Sequence, residues 1–410
     1  MTLQEHAASE SVLGAEEEAL VELSAKIIEA AAADGASDIH INPTPRETTV
    51  RFRIDGVLQD VLTLPKNVHD PLLTRFKAMA DLDTSNRRTV QDGRILMNLR
   101  GQEYDLRENV IPSVLGEKAT LRLLDKVRGL PGLERLGYRE EDRKRLESPL
   151  RAPSGVIIFS GPSGSGKTTH AYAALQHIAR PEVNIMTIED PVEYSLPGMV
   201  QIGVNKKMGL TFPVGLRGIL RSDPDIIFVG AIRDLETAEL CFQAAMTGHL
   251  VMSQLHATTA AGVIERLLDM GIEPFVISQG LILASAQRLV RVLCKDCREK
   301  AKYSAKFLSD LRKRAEAEGL IWPNKPPVFY QAKGCEKCRK TGHWRRIAVF
   351  EMLPMDHEIA CMTAARASVE EIRQAAIKKG MTTMFADGIY KAMTGEISVE
   401  EVLRVLSISL

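Results

Sequence analysis

The sequence predicts an α/β core of buried parallel strands, preceded by a smaller α+β domain and followed by helices. Between residues 154 and 252, short apolar runs alternate with helical stretches, a pattern typical of parallel strands covered on both faces. Before that region, apolar and polar residues alternate as in half-exposed strands. The chain has 410 residues, more than one core usually holds, so two domains are expected.

The overall charge is balanced. Lys and Arg total 53, Asp and Glu total 53, and the formal net charge is therefore +0, which does not favour a nucleic-acid partner. The N-terminus has no basic stretch followed by an apolar run, so no signal peptide is predicted. Because there is no apolar stretch of about 18 residues, no membrane span is predicted either. A cytoplasmic protein that reaches a membrane only through a partner is expected.

The N-terminal part is predicted to hold one helix and several strands. Leucines and isoleucines at helical spacing predict a helix over 15–34, which Gly35 can end. A strand starts near Asp38, and alternation over 50–54 predicts a second one. Asp55-Gly56 is typical of a hairpin turn into a strand over 57–62, and two more strands are expected within 107–122. The predicted segments are a leader over 1–35, an α+β domain over 36–126 and a Gly/Pro-punctuated linker over 127–150.

The remaining residues, 151–410, are predicted to form the core domain. Its strands are expected at 156–159, 185–188, 226–229 and 250–252. C-terminal helices are expected over 355–410, where Ser368 with Glu371 and Ser398 with Glu401 each fit a capping box.

A glycine-rich motif of the form G-x-x-x-x-G-K-[ST] directly follows the first predicted core strand and precedes a helical stretch over 172–178. Glycines allow backbone N–H groups to surround phosphates, the Lys167 ammonium can bind their β and γ oxygens, and the Thr168 hydroxyl can reach Mg²⁺. This strand–loop–helix context favours an ATP site over a chance glycine-rich turn. The predicted nucleotide-binding residues are Gly161, Pro162, Ser163, Gly164, Ser165, Gly166, Lys167, Thr168 and Thr169.

Carboxylates follow the second core strand. Glu189 and Asp190 stand at its C-terminal end, where open α/β sheets place their ligand chemistry, and Glu193 comes shortly after. Glu189 and Glu193 are candidate catalytic residues and Asp190 a candidate Mg²⁺ ligand, although any of them could instead cap a loop. After the third strand, Ala231 occupies the position where a general base is expected.

Four of the six cysteines form two C-x-x-C pairs. Cys294, Cys297, Cys335 and Cys338 are predicted to bind Zn²⁺ in a tetracysteine element over 290–350. The gap between the pairs exceeds that of a zinc ribbon, and residues 301–333 could form an inserted helical hairpin. Reduced, unliganded thiols are the alternative. Cys241 and Cys361 are expected to be ordinary buried cysteines.

Several further motifs carry a resemblance to a known family. They are Ser37 to His40, Arg51 to Gly56, Arg87-Arg88, Gln91 to Arg94, Thr187 to Tyr194, Thr247 to His249, Leu255-His256, Met381 to Gly388 and Glu400 to Val405. With the phosphate motif, they resemble the type II secretion and type IV pilus assembly ATPases, over nearly the whole chain from about Ala36 to Leu406.

The resemblance implies a RecA-like P-loop core, a PAS-like N-terminal domain, a zinc-binding insertion and C-terminal helices. It also implies a homo-hexamer that binds ATP, Mg²⁺ and Zn²⁺ and acts on an inner-membrane platform protein, peripheral to the inner membrane. Arg94 and Arg107 match arginines that reach the γ-phosphate, and His256 matches the residue that senses it. His249 is expected to support its own loop. The tetracysteine element resembles assembly-type members and therefore favours extension over retraction.

The chain departs from the family pattern in three places. Ala231 replaces the glutamate that activates water, so ATP binding is expected to survive while hydrolysis is impaired. An engineered substitution that traps ATP is favoured over a natural, weakly active relative, because the other motifs remain largely intact. Leu255 to Thr258 differs from the family's Leu-His-Thr-Asn. Only about 35 residues precede the shared region, so the family's N-terminal docking domain is expected to be missing or different.

Two other classes of function are alternatives. Ala231 is compatible with a ring component that binds nucleotide without turning it over and has a structural or regulatory role. A DNA-handling RecA-like ATPase is disfavoured by the balanced charge and by the lack of a basic, aromatic-rich binding surface.

Overall fold

A computed structural model describes residues 15–99, 101–124 and 130–407. The chain divides into two compact units, Met1–Gly129 (unit 1) and Leu130–Leu410 (unit 2). Within the described residues, no helix combines the length and the apolar character that crossing a membrane requires.

The described residues of unit 1 form an antiparallel sheet and two α-helices. The helices are α1 (Ala15–Ala33) and α2 (His69–Met79). The strands are β1 (Ala36–Pro43), β2 (Glu47–Ile54), β3 (Val57–Pro65), β4 (Gln91–Leu99), β5 (Gln102–Ser113) and β6 (Gly116–Leu124). They form a six-stranded sheet in the order β3-β2-β1-β6-β5-β4. The predicted first helix, the 55–56 hairpin and the strand pair within 107–122 are confirmed, whereas α2 and β4 were not anticipated.

One face of this sheet holds the core of unit 1. Val50 and Phe52 of β2 are fully buried, because the strand's period of two sends alternate side chains to opposite faces. Ile27 and Ile28 of α1 and Phe76 of α2 belong to the same apolar cluster. The helix predicted as a separate leader therefore contributes to the core of unit 1.

The opposite face carries a row of charged residues that crosses five strands. Neighbours in register are Arg53 (β2), Asp38 (β1), Arg122 (β6), Arg107 (β5) and Arg94 (β4). The buried carboxylate of Asp38 lies 2.9 Å from Arg122 Nε and 3.7 Å from Arg53 Nε. Since one carboxylate serves two guanidinium groups here, this row presents net positive charge.

A buried carboxylate lies on the core side of β5. Glu108 is 2% exposed, and neither of its oxygens has a hydrogen-bond partner in the described structure. Lys77 Nζ lies 2.6 Å from Glu117 Oε1 and pairs with that carboxylate instead. Burial raises the pKa of Glu108 to about 8, the charge of Lys77 acts against this, and the charge of Glu117 adds to it.

We expect Glu108→Gln to stabilise unit 1 at pH 8 by about 2–4 kcal/mol. The folded carboxyl keeps its proton up to about pH 8, whereas the unfolded one ionises near 4.5, so the folded state binds more protons between these values. The wild-type unit therefore loses stability as pH rises through that window. Hydrogen exchange of β5 amides in the full chain at pH 6 and 8, corrected for intrinsic rates, measures this. Glu103→Gln, at an exposed position of β5, is the control. If the free energy of unfolding changed equally with pH in the wild type and in Glu108→Gln, the expectation would be contradicted.

Unit 2 starts within the segment predicted as a linker, and that prediction is wrong for residues 130–150. The segment contains a 3-10 turn, Leu133–Arg135, and helix α3, Glu140–Leu150. Leu133, Leu146 and Leu150 are buried in one apolar cluster with the core sheet. The high charge of α3 concealed its apolar face, because only positions 146 and 150, four apart, provide it. Residues 127–129 lie outside the described part of the chain.

The core of unit 2 is a seven-stranded sheet in the order β15-β12-β7-β11-β10-β8-β9. Its strands are β7 (Gly155–Ser160), β8 (Ile185–Glu189), β9 (Val200–Gly203), β10 (Ile226–Val229), β11 (Leu250–Leu255), β12 (Leu281–Leu293) and β15 (His343–Pro354). All neighbours are parallel except β12 and β15. The four predicted core strands are confirmed. Ile157 and Phe159 of β7 pack on one face of the sheet, and Val156 and Ile158 on the other, which explains the continuous apolar run.

Helices cover both faces of this sheet and continue to Leu406. They are α4 (Lys167–Ile178), α5 (Phe212–Ile219), α6 (Leu235–Met246), α7 (Ala261–Asp269), α8 (Pro274–Gly280), α9 (Ala305–Ala317), α10 (His357–Ala364), α11 (Val369–Lys378), α12 (Met384–Met393) and α13 (Val399–Leu406). The helical hairpin predicted within 301–333 is wrong. That stretch holds the single helix α9, flanked by the short antiparallel pair β13 (Glu299–Lys300) and β14 (Tyr330–Gln331).

The two predicted capping boxes differ in outcome. At α11, Ser368 and Glu371 form a complete box. At α13, the Ser398 hydroxyl accepts the Glu401 N–H at 3.2 Å. The return hydrogen bond, from the Ser398 N–H to the Glu401 carboxylate, is not formed, so this half of the predicted box is wrong. The Glu401 carboxylate instead binds Arg291 and Arg404, since these guanidinium groups offer charge-assisted hydrogen bonds.

Candidate functional site

The predicted phosphate motif and its neighbours meet at one edge of the unit 2 sheet. The motif follows β7, Glu189 ends β8, Ala231 follows β10 and His256 follows β11. These four strands are adjacent and parallel, so their C-terminal ends lie on the same side. The tertiary structure therefore brings together four segments spread over about 100 residues of sequence.

The glycines of the motif fit a tightly wound loop. Gly161 has φ +147°, and a Cβ there would lie 2.7 Å from the Gln287 carbonyl oxygen, closer than real Cβ contacts allow. Gly166 has φ +86° in the left-handed region and immediately precedes α4. The loop thus ends on a helix N-terminus, whose N–H groups and dipole favour an anion.

Lys167 begins α4 and is 9% exposed. Its ammonium donates to the carbonyl oxygens of Gly161 at 2.8 Å and Pro162 at 3.0 Å. Burial lowers the pKa of Lys167 to about 8 and the nearby charge of Arg288 adds to this, while Glu193 opposes it. The group is therefore mainly a cation at pH 7, held against the loop by two carbonyls.

The hydroxyl of Thr168 lies between two polar side chains. It is 3.4 Å from Glu193 Oε1 and 3.4 Å from Gln254 Nε2. Oxygen ligands of this kind suit Mg²⁺, which is usually bound by few protein groups together with water and phosphate. The donor set present here fits that ion.

Glu189 is 2% exposed and is already engaged by its neighbours. Its carboxylate accepts the hydroxyl of Tyr172, that of Thr187 at 2.6 Å and an amide hydrogen of Gln201 at 3.1 Å. Burial raises its pKa, and these hydrogen bonds act in the opposite direction. The Tyr172 oxygen also accepts the Glu193 N–H at 3.3 Å, so Glu189 helps to hold the loop that carries Glu193.

Asp190 lies near Arg233, and Ala231 lies near Gln254. Arg233 Nη1 donates to Asp190 Oδ2 at 3.1 Å, so one oxygen of this candidate Mg²⁺ ligand pairs with a guanidinium group. Beside Ala231, the N–H of Ile232 donates to the Gln254 carbonyl oxygen at 3.0 Å. Position 231 therefore adjoins the residue whose side chain lies against Thr168.

The two predicted histidines stand at opposite ends of β11. His256 follows the strand beside the phosphate loop; partial desolvation and the charge of Lys167 lower its pKa, whereas the backbone of Gly161 acts to raise it. His249 precedes the strand, where its Nδ1 lies 2.9 Å from the Ala244 carbonyl oxygen. The structure thus brings His256 to the phosphate loop, while His249 contacts its own turn.

Four side chains next to the phosphate loop were not singled out from the sequence: Tyr138, His170, Gln287 and Arg288. Arg288 donates to the carbonyl oxygens of Gln287 at 2.9 Å and Thr258 at 3.1 Å, and so links β12 to the His256 loop. A signal was available, because Gln287 and Arg288 are polar residues inside the apolar run of β12, and such residues need a buried partner.

Arg94 and Arg107 lie in unit 1, opposite each other in register on β4 and β5. Arg94 binds Asp105 through Nε at 2.8 Å and Nη2 at 2.5 Å, a bidentate arrangement that fixes the guanidinium plane. Arg94 nevertheless keeps 57% of its side chain exposed. Both residues belong to the charged row described above.

The four paired cysteines converge in unit 2. The sulfurs of Cys294, Cys297, Cys335 and Cys338 all lie within 4.8 Å of one another. Individual Sγ–Sγ distances are 4.0 Å for Cys294–Cys335 and 3.7 Å for both Cys297–Cys338 and Cys335–Cys338. A tetrahedral site with Zn–S bonds of ~2.3 Å places sulfurs ~3.8 Å apart, so the cluster fits Zn²⁺.

Backbone groups further support this cluster. Burial acts to raise the pKa of Cys338, but the N–H groups of Cys335 and Gly342, together with hydrogen bonds from the thiols of Cys335 and Cys297, lower it to about 6. Such N–H donors stabilise a metal-bound thiolate. Of the two remaining cysteines, Cys241 is buried as predicted, whereas Cys361 is exposed on α10, and the prediction for it is wrong.

Comparisons with known proteins identify the family of this chain. A family model described as "Type II/IV secretion system protein" matches residues 14–404. The chain is 42% identical to the type II secretion system protein E of Pseudomonas aeruginosa over 399 residues, 97% of this chain and 78% of that protein. It is also 42% identical to the type IV pilus assembly ATPase PilB of Thermus thermophilus over 394 residues, 96% of this chain and 44% of that protein.

A solved structure shares the fold. The pilus retraction motor PilT with bound ADP superimposes with a TM-score of 0.61 at 26% identity, covering 92% of this chain and 95% of that one. Unit 2 thus carries the RecA-like core that the sequence predicts. The chain belongs to the type II/IV secretion system protein family of P-loop ATPases.

Proposed function

We propose that this chain is an ATP-binding motor subunit of a type II secretion or type IV pilus assembly machine, and that Ala231 makes its own hydrolysis slow. The observation that supports this most directly is the meeting of the phosphate loop, the Thr168–Glu193 pair and His256 at one sheet edge. The assignment to a secretion or pilus assembly machine is taken from the names of the relatives.

Binding of ATP follows from the loop itself. Backbone N–H groups at the start of α4 and the ammonium of Lys167 face the β and γ phosphates. Phosphate oxygens replace the two carbonyls that Lys167 contacts, and their negative charge holds it protonated. Mg²⁺, when bound, neutralises phosphate charge. Thr168 would hold it, with Glu193 or Asp190 acting through water.

Slow hydrolysis follows from the side chains around position 231. An alanine there cannot accept a proton from water. Glu189 does not replace the missing base, because three donors hold its carboxylate. Glu193 stays beside Thr168, where it serves the metal site.

The remaining parts of the proposal concern assembly. Arg94 and Arg107 are the proposed γ-phosphate contacts, because guanidinium groups suit an anion that bears several negative oxygens. The chains form a homo-hexamer whose ring acts on an inner-membrane platform protein, as the relatives' roles in secretion and pilus assembly suggest. Zn²⁺ in the tetracysteine cluster stabilises the end of β12.

We expect Lys167→Ala to weaken binding of Mg·ATP by about 10–100-fold, because a charge-assisted contact to phosphate is lost. Titration of a fluorescent ATP analogue into the full chain measures this. Lys306→Ala, at an exposed position of α9, should bind as the wild type does. If the wild type bound no Mg·ATP, the proposed function would be wrong; if Lys167→Ala bound equally well, the loop would not be the site.

A second candidate function is a ring component that binds nucleotide without turning it over. Ala231 is the specific observation that favours it. The two candidates differ in what a restored glutamate does, since only a motor regains turnover.

A further inference from the structure

A chain of hydrogen bonds crosses the interior of unit 2 from the segment 130–139 to the phosphate loop. The Tyr138 hydroxyl bonds Nε2 of His170 on α4, and Nδ1 of His170 bonds Oε1 of Gln287 on β12. Gln287 Nε2 then donates to the Ser165 carbonyl oxygen at 2.7 Å. The segment 130–139, α4 and β12 are thereby joined to the Ser165 carbonyl group of the loop.

The direction of every bond in this chain is determined. Only the amide nitrogen of Gln287 can donate to the Ser165 carbonyl, so the amide oxygen faces His170. Because that oxygen only accepts, Nδ1 of His170 carries the proton. Neutral imidazole has one N–H, so Nε2 is the acceptor and the Tyr138 hydroxyl is the donor. All three hydrogen bonds therefore point from Tyr138 towards the loop.

The surroundings keep His170 in this state. Phe159 and Phe350 lie with ring centroids 4.3 Å and 5.3 Å from the imidazole, and Tyr138 stacks on Phe350 at 4.2 Å. Burial lowers the pKa of His170 to about 4, against the hydrogen bond to Gln287. The ring is therefore neutral at pH 7, with a single tautomer.

Gln287 bonds the phosphate loop at Ser165 and lies close to two of its glycines. The backbone carbonyl oxygen of Gln287 lies 2.7 Å from the point where a Cβ on Gly161 would stand. Its side-chain amide nitrogen lies 3.3 Å from the corresponding point on Gly166. A shift of Gln287 would therefore move the loop that holds the phosphates. Through His170 and Tyr138, such a shift also reaches the segment 130–139, which directly follows unit 1 in the chain.

We propose that Tyr138, His170 and Gln287 are positioning residues that fix the phosphate loop for nucleotide and couple its occupancy to the segment 130–139. This inference rests on the proposed function, since it requires that the loop binds ATP. We call these three hydrogen-bonded side chains the relay. Linkage is reciprocal: if bound nucleotide holds the relay in place, the intact relay strengthens nucleotide binding equally. The relay touches no substrate and acts only through the loop.

The first variant is Tyr138→Phe, which keeps the ring that stacks on Phe350 and removes only the hydroxyl. We expect it to bind Mg·ATP about 3–10-fold more weakly, the effect of one lost hydrogen bond. We also expect ATP to increase hydrogen-exchange protection of residues 130–138 in the wild type, and this increase to be lost in the variant. Tyr303→Phe is the matched control, because it removes a hydroxyl bonded to Glu400 from another aromatic cluster of unit 2.

A second variant, Gln287→Leu, tests whether the residues act as one chain. It removes the bonds to His170 and Ser165 while keeping a similar volume. In the double variant with Tyr138→Phe, the combined loss of affinity for Mg·ATP should be clearly smaller than the product of the two single losses, because breaking either link disconnects the relay. Independent, multiplicative losses would overturn the coupling.

Imidazole ¹⁵N NMR tests the relay without nucleotide. The wild-type His170 should show a protonated Nδ1, an unprotonated Nε2 and no titration between pH 5.5 and 8. The opposite tautomer, or a titration in that range, would overturn the proposal even if ATP binds normally. Failure of the wild type to bind Mg·ATP would instead contradict the proposed function and leave the NMR result to judge the hydrogen-bond geometry.

Discussion

Ala231→Glu is expected to raise the rate of ATP hydrolysis by about 10²–10⁴-fold, the usual contribution of a positioned general base. Position 231 follows β10 at the sheet edge that carries the phosphate loop, and the adjacent N–H of Ile232 is held by Gln254. A carboxylate introduced here enters a site whose Thr168, Glu193 and Lys167 are already placed. Phosphate release by the full chain at saturating Mg·ATP measures the gain.

Ala231→Gln is the matched control, because it has nearly the same shape as Glu without the basic oxygen. It should bind Mg·ATP and remain as slow as the parent chain. If both variants bind ATP and only the glutamate form hydrolyses it, the chain is a motor that lacks its base. If Ala231→Glu binds ATP but stays inactive, the nucleotide-bound structural or regulatory role becomes the better account.

Loss of the proposed Zn²⁺ site at the tetracysteine cluster is expected to have the largest effect on stability. Structural zinc sites contribute about 10–16 kcal/mol in isolated zinc-finger peptides, and part of that energy should be lost when one sulfur ligand is replaced. We expect Cys335→Ser to abolish stoichiometric zinc binding and to lower the melting temperature of unit 2. Metal analysis by mass spectrometry and thermal unfolding of the full chain measure the two effects.

Contacts around the cluster predict where this loss spreads. Cys294 N donates to the Gly342 carbonyl oxygen at 2.9 Å, and Leu293 N to that of Glu396 at 2.8 Å. Hydrogen exchange should therefore increase at the end of β12 and in the turn before α13. Cys361→Ser is the control, since that thiol is exposed and outside the cluster. Unchanged stability in a zinc-free Cys335→Ser chain would show that the cluster is not a structural metal site.

The four predicted core strands, β7, β8, β10 and β11, were recognisable because all their residues are buried and most of them are apolar. Ile226 to Val229 illustrates this, since all four residues are buried in β10. Helix α3 was missed for the opposite reason. It contributes only two leucines to the core, and its acidic and basic residues dominate the local pattern. Local composition reports burial only where most of a segment is buried.

The features of the candidate site also divide into those that could be recognised from the sequence and those that could not. The phosphate motif and the cysteine pairs were recognisable because their ligands lie close together along the chain. The hydrogen bonds of Glu189 were not, because the three donors that engage its carboxylate come from α4, β8 and β9. Likewise, nothing in the sequence joins Tyr138 to His170 or His170 to Gln287, which are separated by 32 and 117 residues.

By itself, the sequence predicted four of the seven core strands, the phosphate loop, the cysteine pairs and the alanine at position 231. The tertiary structure decided which carboxylate stands beside Thr168, which histidine reaches the loop and which buried side chains hold it. The physical reason is that propensity, periodicity and short motifs act between near neighbours in sequence. Hydrogen bonds and ion pairs in a core are instead set by strand order and register, which bring distant residues within 3 Å or so of each other.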